Sequence, residues 1–137
     1  MSRRPHRYSH GRGDLVMVID CSDLERAADF WTAALGYVRD GAADGSYQSL
    51  VPADGDGLEL LLQSVPEGKD GKNRLHLDLR TRDLAREVER VRTLGAQLLT
   101  PTPVVEDGWT WHILTDPDGN EFCVVAPAPD YWAGREN

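Results

Sequence analysis

The chain has 137 residues, of which 40% are hydrophobic and 28% charged, with a net charge of -8. That length suits one ordinary domain with a buried core. The acidity argues against nucleic acid and anionic membranes as partners, since neither would be attracted electrostatically.

Residues 1-13 form a basic arm: MSRRPHRYSHGR carries four arginines and two histidines ahead of the first apolar run. It is expected to be a flexible leader, as no apolar stretch of signal-peptide type follows it. No run of apolar residues reaches membrane-spanning length. Cys21 and Cys123 make no disulfide framework, which points to a reduced, cytoplasmic protein.

From Asp14 the chain reads as strand, helix and a three-stranded meander. The strand around VMVID leads into an amphipathic helix whose apolar positions are Leu24, Ala27, Phe30, Trp31, Ala34 and Leu35. Ser22 with Glu25 has the spacing of a capping box, and Gly36 suits the C-terminal cap. SYQSLVPADGDGLELLLQ then supplies two strands around an Asp-Gly turn.

Glu67 to Lys72 read as a polar linker between module one (14-66) and module two (73-126). In NRLHLDLR apolar and polar residues alternate from 73 to 80. The spacing predicts a strand with Leu75, Leu77 and Leu79 on one face and His76, Asp78 and Arg80 on the other. A second helix follows, with Leu84, Val88, Val91 and Leu94 on its apolar side and Gly95 at its end. WTWHILTDPDGNEFCVV closes module two as strand, turn and strand. Residues 127-137 form a tail in which Tyr131 and Trp132 are apolar anchors.

The two halves therefore repeat one order, βαβββ, over roughly residues 14 to 126. Each helix covers one face of its sheet. The expected fold is α+β: two tandem βαβββ modules whose curled mixed sheets surround a cleft.

GKNRLHLDL, Leu94-Gly95-Ala96 and TDPDGNEFCVV, supported by VMVIDCSDLERAADFW, resemble the vicinal oxygen chelate superfamily. This is the superfamily of glyoxalase I, bleomycin-resistance proteins, fosfomycin-resistance enzymes and extradiol dioxygenases. The second half is most similar to glyoxalase-like domains common in actinobacteria. The scaffold hosts isomerases, transferases, oxygenases and binding proteins, so the resemblance implies fold rather than reaction.

Metal-dependent members take one ligand from the first strand and one from the last strand of each module. Carried onto this chain, those positions are Val16, Glu59, His76 and Cys123. Val16 has no donor atom. Glu59 and His76 could hold a divalent ion such as zinc, nickel, manganese or iron. Cys123 could bind zinc as a thiolate or simply pack in a core strand, and Glu59 could be a solvated carboxylate near Asp54, Asp56 and Gly57.

Trp109 and Trp111 share one strand face, with His112 on the other, and the repeat sets Tyr47 level with Trp111. One of those two faces should see the cavity. These aromatics, with Gln63 on the side of Glu59, are candidate pocket walls. No nucleophile paired with a base, phosphate loop or zinc-protease motif is present.

The function expected is a protein that holds a small organic molecule in the cleft without a complete metal site. It would be either a metal-independent enzyme or a resistance-type binding protein. In the former, His76 would be the general base with Glu59 as its partner. The alternative is a metal-dependent lyase, isomerase or dioxygenase using Glu59 and His76 as ligands. A homodimer is compatible with paired modules of this type.

Overall fold

The computed structural model describes residues 15-55 and 57-134. The basic arm and Asp56 lie outside the described residues. The chain divides after Gly68 into two compact units.

In the first unit β1 (Val16–Cys21), α1 (Leu24–Leu35), β2 (Tyr37–Arg39), β3 (Tyr47–Pro52) and β4 (Glu59–Ser64) follow one another. They form a mixed sheet of order β1-β4-β3-β2, in which β1 and β4 are parallel and Val16 pairs with Glu59. α1 begins at Asp23, whose carboxylate accepts the Arg26 N–H. Ser22 is therefore not the cap: its hydroxyl accepts instead from the Arg26 guanidinium. Aspartate in extended backbone reaches the third helical N–H as well as serine does, and here it stands one residue closer to the helix. Gly36 ends α1 in the left-handed region at φ 71°, as its position suggested.

Ala27, Ala28, Phe30, Trp31 and Ala34 of α1 are buried, and the helix lies on β2, β3 and β4. Leu50, Leu60 and Leu62 meet it from the sheet, each fully enclosed. Strand alternation then puts Glu59, Leu61 and Gln63 on the opposite, open face.

The second unit contains β5 (Leu77–Arg80), α2 (Leu84–Thr93), β6 (Gln97–Leu98), β7 (Val104–Glu106), β8 (Trp109–Thr115), β9 (Glu121–Ala126) and a 3-10 helix (Pro129–Gly134). Its sheet runs β5-β9-β8-β6, with the short β7 also paired to β8, so this module carries one strand more than the repeat predicts. Again the first and last strands are parallel neighbours, with Leu77 paired to Phe122.

α2 starts at Asp83, which accepts from the Arg86 N–H. Its face buries Val88 and Val91 and packs on β8 and β9. Phe122, Val124 and Leu114 form the facing core. The Asp-Gly turn is organised by Asp116. Its buried carboxylate gathers the N–H groups of Asp118 and Asn120, both at 2.9 Å, while Gly119 takes φ 89°.

β5 is shorter than the alternation predicts. Leu75 is 89% exposed, and His76 lies just before the strand. The cause is local: Asn73 donates its backbone N–H to the Glu121 carboxylate and its side-chain amide to the Glu121 carbonyl. Side-chain bonds thus replace the ladder ahead of Leu77.

Candidate functional site

The pairings assign each predicted site residue to a face. In the first unit Val16 and Glu59 sit side by side on the open face, with Gln63 further along β4. Tyr47 pairs with Gln63 and is 43% exposed. The Ser49 hydroxyl donates to Glu59 Oε2 at 2.6 Å, so this carboxylate is part of a hydrogen-bonded sheet surface.

In the second unit the open face carries Asp78 and Arg80 on β5, Cys123 and Val125 on β9, and Trp109, Trp111 and Ile113 on β8. The indoles thus stand on the open face and His112 on the helix face. There His112 Nδ1 donates to the Thr100 carbonyl at 2.7 Å, which makes it a structural histidine.

His76 reaches the open face from just outside β5. Its Nδ1 lies 3.2 Å from Asp78 Oδ1. Asp78 pairs across the ladder with Cys123. Donor atoms of His76, Asp78 and Cys123 all lie within 4.8 Å of one another. His76 and Asp78 are solvent-accessible, whereas Cys123 is buried. Burial, with the Asp78 carboxylate beside it, pushes the Cys123 thiol up to about 11. At neutral pH it is an S–H group that hydrogen-bonds Asp78, and not a ready thiolate.

Asp78 is the partner the structure supplies for His76. Glu59, given that role from the sequence, belongs to the first unit. Alternation had already set Asp78 and Arg80 on the face of His76.

The register also revises the repeat itself. Val16 pairs with Glu59, and stepping back one place from Leu77–Phe122 sets His76 level with Glu121. The counterpart of Glu59 is therefore Glu121, where counting from the turn glycine gave Cys123. Glu59 stands four residues past Gly55 but Glu121 only two past Gly119, and that shifts the count. Glu121 is engaged elsewhere: Asn73 and then Lys69, 3.2 Å away, hold its carboxyl below the usual range.

A hard divalent ion asks for several oxygen and imidazole donors with open positions between them. Val16 offers no donor, Cys123 offers a soft sulfur, and Glu59 accepts a serine hydroxyl. The four positions do not fit such an ion. The His, Asp and Cys donors gathered in the second unit are of the type zinc accepts.

Two mixed sheets, each closed by its parallel first and last strands and covered on one face by a helix, define a glyoxalase/bleomycin resistance/dioxygenase fold. The chain belongs to the glyoxalase-like domain family, whose model matches residues 16–125. No curated protein matches the chain.

Solved structures share the fold. A member of the glyoxalase/bleomycin resistance protein/dioxygenase superfamily from Sphaerobacter thermophilus is 26% identical, with TM-score 0.59, over 82% of this chain and 97% of that one. The fosfomycin resistance protein FosX from Mesorhizobium loti is 18% identical, with TM-score 0.65, over 86% and 94%. FosX from Listeria monocytogenes, solved with Mn(II) and 1S,2S-dihydroxypropylphosphonic acid, is 16% identical, with TM-score 0.68, over 87% and 93%.

Proposed function

We propose that this protein holds a small organic molecule against the open face of its second sheet, without a resident metal. The observation that carries the reading is the composition of that face. The indoles of Trp109 and Trp111 lie on the same side of the sheet as the His76–Asp78–Cys123 group, while the first-strand position of module one is Val16. Aromatic walls with a few convergent polar groups suit a small ligand.

Two uses of such a site are compatible with its chemistry: sequestration of the molecule, or metal-independent proton transfer. For the second, Asp78 accepts a hydrogen bond from the Nδ1–H of His76 and orients the ring, which leaves Nε2 as the basic atom. Cys123, protonated, hydrogen-bonds the same carboxylate.

The closeness of three donor groups, His76, Asp78 and Cys123, favours one alternative, a metal-dependent lyase, isomerase or dioxygenase with His76 among its ligands. The FosX structure with Mn(II) is a precedent within the fold. The test is metal content after purification without chelator, loading with zinc, nickel, manganese or ferrous iron, and dialysis. Our reading expects no ion retained. About one ion per chain, lost in His76→Ala or Asp78→Ala, would establish the alternative.

A further inference from the structure

We propose that Arg80 is an anion anchor, and that the molecule held on this face is a small organic acid with an apolar or aromatic body. The inference rests on the binding reading above and assigns its ligand class.

Arg80 ends β5 on the open face, opposite Val125 and two places beyond Asp78. Its guanidinium lies over two rings, 5.2 Å from the Trp109 centroid and 5.0 Å from that of Tyr131. Nη1 donates to the Tyr131 hydroxyl at 2.9 Å. Among the described residues no carboxylate pairs with it. Arg39 and Arg90, by contrast, meet Asp29 and Glu87 at 2.9 and 2.7 Å.

A guanidinium has five N–H donors in one plane, and Arg80 spends one of them. Both rings pack against the guanidinium, and four donors remain, a fork of the kind that receives a carboxylate in bidentate fashion. Because the ring contacts and the Tyr131 hydrogen bond restrain the side chain beforehand, less rotamer entropy is lost when an anion arrives.

The neighbours set the rest of the ligand. Val125, Trp109 and Trp111 line the strip beside Arg80 on the same face. Two strand steps separate Arg80 from Asp78, roughly 6.6 Å along the chain. A molecule whose carboxylate sits on Arg80 therefore brings a group about that far away to the His76–Asp78–Cys123 cluster. The Asp78 charge at that end disfavours a second negative charge, so the geometry selects a monoacid.

The experiment titrates 15N-labelled protein with benzoate, phenylacetate and indole-3-acetate, and with the primary amide of each, following amide and indole N–H shifts. The expected result is shifts at Arg80, Trp109 and Trp111, with each acid bound about tenfold or more tighter than its amide. That preference falls with added salt and vanishes in Arg80→Gln. Tyr131→Phe, which keeps the stacked ring but removes the hydroxyl, retains the preference and so separates anion binding from pinning of the tail.

Acids and amides bound equally on this face would overturn the anchor and leave the binding reading standing. A preference that survives in Arg80→Gln, or shifts centred elsewhere, would also overturn it. No shift with any of the six compounds would overturn the anchor, and retained shifts with neutral heteroaromatic fragments would show that the binding reading had not fallen with it.

Discussion

Replacing Asp78 with Asn probes the electrostatics of the open face through Cys123. The thiol titrates at about 11 against an ordinary 9.0. Two units correspond to about a hundredfold less thiolate and about 2.7 kcal/mol at most between the two ionisation states. Burial is the leading cause and survives the substitution; the charge and charge-assisted hydrogen bond of Asp78 are removed. The midpoint in Asp78→Asn therefore falls to a value between 9.0 and about 11. The thiol holds its proton more tightly folded than unfolded. Its contribution to stability is thus fully present below pH 9 and is lost as pH rises through about 11, less steeply in the variant. Carbon NMR of 13C-labelled cysteine reads the midpoint, with Cys123→Ser assigning the signal, and urea denaturation at pH 8 and 10.5 reads the linkage. An unchanged or raised midpoint in Asp78→Asn would refute the assignment of Asp78 as the group facing the thiol.

Asp83→Ala removes the cap of α2 and should cost about 1 kcal/mol, read as a lower urea midpoint at unchanged slope. Trp31→Ala empties a fully enclosed site where the indole meets Phe30 edge-on at 4.9 Å. A loss of about 3–5 kcal/mol is expected in the first unit, checked by hydrogen exchange of α1 amides. Glu121 has a depressed pKa, so its stabilisation is present above pH 4.5 and lost as pH falls through the folded value. Glu121→Gln should flatten the acid limb of a Tm-against-pH curve.

The duplication, both helices and the two Asp-Gly hairpins were legible because each is encoded locally, by apolar spacing, capping residues and turn residues. What escaped depends on register. Two extra residues between the turn glycine and the strand in module one moved the position level with His76 from Cys123 to Glu121, and no local pattern records a loop's length against another strand. The indoles could be placed on one face by alternation, but which face lay open required the helix to be seated. Leu75 looked like a core position because alternation continues beyond the last ladder bond, where Asn73 takes over the pairing. Tyr131 and Trp132 read as anchors, and they are. Tyr131 packs edge-on to Trp109 at 5.5 Å, and Arg82 covers Trp132 at 4.4 Å, which holds the tail on its own unit.

The parallel pairing of first and last strands has a consequence for how the chain comes to be folded. Val16 meets a residue 43 positions downstream, and Leu77 one 45 positions downstream. Closing a loop of that length costs about 3 kcal/mol of chain entropy, roughly twice the cost of closing the hairpin from Thr115 to Glu121. The hairpins can zip as soon as they leave the ribosome, whereas β1 and β5 must wait, edges bare, for the final strand of their module. A nascent chain halted before Glu59 would carry α1 with Leu60 and Leu62 still missing beneath it. Each module is therefore sealed by its last strand, and synthesis passes through two intervals of exposed apolar surface in place of one.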